Sequence, residues 1–215
     1  MGVFKPRANT IMRVVFVAVL LAPVALVTGL LLYARSPFFT NQGFQVLQPV
    51  QLDHRHHAAD DGIDCRYCHD SVTVSPSAGI PSTETCMGCH SQIWNTSPLL
   101  EPVRRSYFEG GPIRWQRVHQ VPDFVYFNHA IHVGKGIGCI SCHGRVDQMP
   151  VVEQVATLAM EWCLACHRDP VPQLRPPETI ASMSWSPPPN VDVLRRELAE
   201  RYGVRNLTDC YTCHR

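Results

Sequence analysis

Hydrophobic positions are spread unevenly along this chain of 215 residues. Residues 14–33, VVFVAVLLAPVALVTGLLLY, form a run of twenty positions without a charge. At about 1.5 Å per residue, a helix of that length crosses the roughly 30 Å hydrocarbon core of a bilayer. No comparable run follows, and no long alternation of apolar and polar residues marks a strand. The clearest helical pattern in the remainder is NVDVLRRELAERYG, in which Leu194, Leu198 and Tyr202 share a face. Asn190 stands at its N-cap position and Gly203 supplies the stop. The pattern predicts a mainly α and coil protein, with a single N-terminal transmembrane helix and a following domain of little regular secondary structure.

The flanks of the apolar run give it a direction. Lys5, Arg7 and Arg13 precede it and only Arg35 follows closely. Positive charge stays inside, so the N-terminus is expected in the cytoplasm and the rest on the periplasmic face of the cytoplasmic membrane. The run exceeds the roughly 7–15 apolar residues of a signal peptide and no small-x-small site closes it, so an uncleaved anchor is expected. Pro23 lies mid-span, where a membrane helix tolerates it. A net charge of +1 makes no case for nucleic acid. With 8% aromatic residues and 18 prolines, the chain is poorly supplied for an ordinary core.

The cysteines change the picture. CxxCH occurs five times: Cys65-x-x-Cys68-His69, Cys86-x-x-Cys89-His90, Cys139-x-x-Cys142-His143, Cys163-x-x-Cys166-His167 and Cys210-x-x-Cys213-His214. The copies use all 10 cysteines. A disulfide framework needs no His after every second Cys, and zinc sites pair two CxxC units or combine one with a distant His pair. A redox dithiol occurs once, beside a βαβ pattern. Covalent attachment of c-type haem accounts for the whole set. In a turn of helix the two Cys stand at i and i+3 and the His at i+4, all on one face. Two thioethers can then hold one edge of a porphyrin while the imidazole reaches the iron. Five haem c groups would also supply much of the core.

An internal repeat organises these motifs. LDHRHHAADDGIDCRYCH aligns with FNHAIHVGKGIGCISCH, matching His54 and His57 to His129 and His132, and Gly62-Ile63 to Gly136-Ile137. Each copy is followed by a second CxxCH. The expected organisation is a cytoplasmic tip and anchor (1–35), a stalk (36–51), a dihaem module (52–90), a Pro-rich connector (91–126), a second dihaem module (127–167), and a Pro-rich linker, short helix and C-terminal haem site (168–215).

Of 11 His, the five in the motifs leave six: His54, His56, His57, His119, His129 and His132. Five six-coordinate irons need five distal ligands. In a helical HxxH, His54 and His57 share a face and His56 points away; the second copy has Ile131 at the position of His56. His54, His57, His119, His129 and His132 are therefore the candidates. Met149, in a Gly/Pro-flanked segment, is a competing thioether for one haem and would raise its potential. Met160 is expected as core filler.

HxxH before CxxCH resembles the multihaem cytochromes of the c3 and c7 type. That resemblance implies that the first His serves the haem of its own module, His54 with His69 and His129 with His143. It also implies that His57 and His132 reach neighbouring haems. The order of a charged N-terminus, one span, SPFF, DHRHH, FNHAIH and WCLACHRDP resembles the pentahaem subunit of alternative complex III, over nearly the whole chain. This implies electron relay within a quinol:acceptor oxidoreductase, beside integral quinol-binding subunits, an iron–sulfur subunit and a monohaem cytochrome.

Two other classes stand against it. A self-contained quinol dehydrogenase of the multihaem anchor type would place a haem at the membrane, whereas 31 residues separate Tyr33 from Cys65 here. A multihaem reductase needs an open iron position, and the supply of distal ligands argues against one.

Overall fold

The computed structural model describes residue 5 and residues 7–214. The remainder of the expected N-terminal tip lies outside the described residues. The apolar run forms α1, Ala8–Ala34, whose 27 residues include Pro23 and none of which is buried. At about 1.5 Å per residue it is about 40 Å long, and it is long and apolar enough to cross a membrane. The short α2, Pro37–Thr40, follows, ended by Asn41 at φ +59°. Tyr33 and Phe39 meet edge to face at 5.8 Å between ring centres. These elements form one compact unit, and a second begins at Gln42.

The second unit is helical turns joined by coil, with no strand among the described residues. Its helices are α3 (Cys65–Cys68), α4 (Thr83–His90), α5 (Glu101–Glu109), α6 (His129–Gly134), α7 (Ile140–His143), α8 (Met160–Arg168), α9 (Val191–Arg201) and α10 (Cys210–Cys213). The α9 helix occupies the expected span with Leu198 buried, although the Asn190 side chain makes no capping hydrogen bond. Part of the expected stalk is laid on this unit: Gln42 and Gln45 bridge to Gln154 and Glu153, and Gln42 Nε2 donates to the Val155 carbonyl at 2.7 Å.

The connector contains α5, which the composition of 91–126 hid. Ser97 caps the preceding turn, Pro102 lies in the first turn of α5, and Gly110 ends it at φ +78°. Leu100 and Val103 pack with Val50 and Met87, flanked by Cys86, Ile113 and Trp115. Met87, inside the second CxxCH, is therefore a core residue. Among the described residues nine hydrophobic side chains are buried, few for a unit of this size.

The two repeat copies differ by one residue between HxxH and Gly-Ile, and the backbone absorbs it. In the second copy α6 is an ordinary helix. In the first, Arg55–Asp60 is a π-helical turn, with Asp61 N–H bonded to the His56 carbonyl at 2.9 Å. The copies then rejoin. Ile63 N–H reaches the His57 carbonyl at 2.9 Å, and Ile137 N–H reaches that of His132 at 3.0 Å. Gly62 and Gly136 both adopt positive φ, +68° and +86°.

Gly136 is also locked by a neighbour. Its carbonyl accepts from Arg175 N–H at 2.9 Å, and a Cβ added to it would lie 2.8 Å from the Arg175 carbonyl oxygen. Arg175 is buried, its Nη1 donates to the Ser182 carbonyl at 3.1 Å, and its guanidinium lies 4.8 Å from the centre of the Trp185 ring. Backbone on both sides leaves no room to adjust. Gly136→Ala is expected to destabilise the unit by about 2 kcal/mol, read as a lower urea midpoint at unchanged haem content.

Candidate haem-binding sites

Every CxxCH forms a helical turn. In three of the five copies, His69, His143 and His214 donate their backbone N–H to the first cysteine of the motif at 2.9 Å, and the other two copies lie within α4 and α8. Asp64 and Asp209, each just before a first cysteine, cap α3 and α10 with their side chains. None of the ten cysteines is in a disulfide. Each site thus offers two thiols and an imidazole on one short turn.

The imidazoles share a second feature. A ligating His ordinarily donates one ring N–H to a fixed acceptor, which orients the ring and leaves the other nitrogen for the metal. His69 Nδ1 lies 2.8 Å from the Gly79 carbonyl, His90 Nδ1 3.1 Å from that of Ile93, His167 Nδ1 2.9 Å from that of Leu207, and His214 Nδ1 3.1 Å from that of Phe124. Among the distal candidates, Nδ1 of His57, His129 and His132 lies 2.9, 2.8 and 2.7 Å from the carbonyls of Asp53, Pro76 and Asn128. All seven rings keep Nε2 for another partner. His54 Nδ1 is buried with no hydrogen-bond partner among the described residues.

The rings also face one another at a consistent separation. Ring centres are 6.1 Å apart for His57 and His90, 6.4 Å for His129 and His143, and 6.0 Å for His132 and His167. A metal–imidazole bond of about 2 Å sets two imidazoles sharing one metal about 6 Å apart, so the residues present fit a bis-imidazole iron at each pair. The ring planes are nearly parallel at His129–His143, 12°, and steeply inclined at His57–His90 and His132–His167, 67° and 63°. Burial, then the neighbouring His69 and His57, push the His54 imidazole below its ordinary value. Burial, then His119, His129, His69 and His54, push His143 down to about 3. The imidazoles of the first and third motifs therefore lie close together.

Sulfur neighbours string the sites into a line. Beyond burial, Cys86 is raised by Cys68, and Cys68 is raised by Cys65 and Cys89. A hydrogen bond between Cys65 and Cys139 raises the first thiol and lowers the second. Cys142 is pushed up to about 11 by burial and then by Cys166 and Cys163, and Cys163 is raised by burial and then by Cys213. Numbered by motif, the spatial order is 2–1–3–4–5. The two repeat modules meet through their first sites, and thioether formation would remove the thiol protons that reveal this order.

His119 lies against the third site, and Met149 lies beside the first module. His119 Nε2 is 3.2 Å from His143 Nδ1, with ring centres 4.3 Å apart. Met149 follows the turn Val146–Gln148, which packs on Arg55–Asp60 in the first module. Phe124 is the ring nearest His214, with centres 5.7 Å apart. His56 is exposed beside Asp60 and Asp61, at 3.8 and 3.5 Å.

Some contributors were not singled out from sequence. Phe127 stacks on His132 at 4.5 Å and meets His129 edge-on at 4.7 Å, so one ring braces both distal candidates of the second module. Asn128 caps α6 through its side chain and orients His132 through its carbonyl. The Asn-His pair after an aromatic was the available signal. Gly79 has no such signal, because its carbonyl meets His69 only through the fold.

Residues 125–215 match the family described as cytochrome c7 and related cytochrome c, a segment that carries sites 3, 4 and 5. In that segment the chain resembles this cytochrome family. Over 123 residues it is 31% identical to the multiheme cytochrome c subunit of menaquinone reductase from Nitratidesulfovibrio vulgaris, covering 57% of this chain and 52% of that protein. The chain thus spans about half the length of the curated multihaem relative it matches.

Proposed function

We propose that this chain is a membrane-anchored pentahaem cytochrome c that relays electrons within a quinol-oxidising complex to a cytochrome or other acceptor. The observation that carries the reading is the continuous line of five CxxCH sites, with oriented imidazoles along it. The bound iron supplies a one-electron couple, and the polypeptide supplies spacing, axial ligands and burial. The ten motif cysteines hold five haem c groups, with His69, His90, His143, His167 and His214 as proximal ligands. We pair His54 with His69, His57 with His90, His129 with His143, and His132 with His167. The α1 helix anchors the chain in the cytoplasmic membrane, with the haem domain on the periplasmic face.

That pairing leaves the fifth site without a histidine, because His119 faces His143 and His56 faces two aspartates at the surface. The sixth ligand of the fifth haem is therefore a group other than an imidazole of this chain. Carbon monoxide added to the reduced protein tests this: four bis-imidazole haems resist it, and a single responsive haem is expected. Binding at none would mean a strong sixth ligand such as a thioether, and binding at several would overturn the pairing. An open fifth iron is also the feature that a multihaem reductase would use.

The motif order supports assignment to alternative complex III, with integral quinol-binding subunits, an iron–sulfur subunit and a monohaem cytochrome as partners. The relative's printed name supports a quinone-linked complex and favours a second reading in which electrons run toward menaquinone. Gentle detergent purification through a tag on this chain, followed by assays in both directions, tests the two. Haem reduction by quinol in a multisubunit complex supports the first reading, and quinone reduction by the reduced haems supports the second. An active single chain would revive the self-contained quinol dehydrogenase.

A further inference from the structure

We propose that His119 is a positioning residue for the third site, accepting the Nδ1 proton of His143 on its own Nε2 and holding that haem at a lower potential than its axial ligands alone would set. The proposal rests on the haem reading of the preceding subsection and adds a role for a histidine outside every motif.

The contact differs in kind from those at the other sites. Backbone carbonyls of Gly79, Ile93, Leu207 and Phe124 receive the Nδ1 protons of the other four motif histidines, whereas His143 meets a side-chain imidazole. The two nitrogens are 3.2 Å apart, within hydrogen-bond reach, and the rings are inclined at 72°. An imidazole nitrogen is far more basic than an amide oxygen. It draws the His143 proton more strongly, and the ring bound to iron gains imidazolate character. Such a ligand favours the ferric state.

Burial strengthens the effect. The contact is half-buried, which limits the water that competes for the proton. His119 cannot at the same time give Nε2 to an iron, so the contact also explains why it does not reach the fifth site. The third site adjoins the first through Cys139 and the fourth through Cys142, so its potential bears on every electron that travels the line.

The test uses the full chain in its complex, as wild type, His119→Leu and His119→Gln, with covalent haem counted by pyridine haemochrome. Potentiometric titration and EPR then follow each component. With five haems retained, the leucine variant should raise the midpoint potential of one component, leave four unmoved and stay low-spin there. The glutamine variant, whose amide oxygen can accept the same proton, should return that component toward the wild-type value. A high-spin signal in both variants would make His119 an axial ligand and overturn the proposal, as would five unmoved potentials. If the leucine variant loses haem, the glutamine variant decides: low-spin and near wild type supports the proposal, high-spin overturns it. Fewer than five haems in the wild type would instead overturn the pentahaem reading.

Discussion

Replacing both Cys139 and Cys142 with alanine is expected to leave four covalent haems and divide the relay into two isolated pairs. The third site is the link between the modules: Cys139 meets Cys65 of the first site, and Cys142 meets Cys163 and Cys166 of the fourth. Electron tunnelling falls exponentially with distance, so the loss of a central carrier costs far more than the loss of a terminal one. Stopped-flow reduction by quinol should show two haems reduced at the normal rate and two reduced slowly or not at all. The same double substitution at Cys210 and Cys213 removes a terminal site and should leave four haems reducing together. Four fast haems in the central variant would mean that the sites are not arranged as 2–1–3–4–5.

His132→Ala should convert one low-spin haem to high-spin without reducing the number of covalent haems. His132 faces His167 at 6.0 Å, its Nδ1 is held by the Asn128 carbonyl, and Phe127 stacks on its ring. The α6 helix should survive, because its cap uses the Asn128 side chain and the Ile131 N–H. Loss of the second imidazole also removes electron donation to the ferric iron, so that potential should rise. EPR identifies which haem changed. Steeply inclined axial planes and parallel planes split the iron d orbitals differently, and His132–His167 are inclined at 63° while His129–His143 are at 12°. The signal lost must belong to the inclined class. A spectrum unchanged, or altered in the parallel class, would break the pairing. His56→Ala, at an exposed residue beside two aspartates, serves as the silent control.

Much of this was legible because it is local. The α1 helix needs only a run of apolar residues, and each CxxCH turn needs only five residues in helical register. The repeat carried HxxH, Gly-Ile and CxxCH together, and the backbone geometry after His57 and His132 follows it despite the extra residue in the first copy. The π-helical turn of Arg55–Asp60 is how that residue is absorbed, and the count between Gly62 and His57 was visible in the alignment. The α5 helix was hidden by prolines and glycines that are its own start and stop. His119 was counted toward the distal ligands because supply and demand matched, and counting does not reveal that its ring lies against His143.

The sequence by itself determined the five CxxCH motifs, the haem count and ligands to expect from them, and the two-copy repeat, since each depends on spacings of a few residues. Only the tertiary structure decided which rings face each other, that the modules meet through sites 1 and 3, and that His119 lies on His143. Those relations join residues far apart in the chain. They depend on how short turns pack around spaces that the polypeptide alone does not fill, and no periodicity along the sequence encodes them.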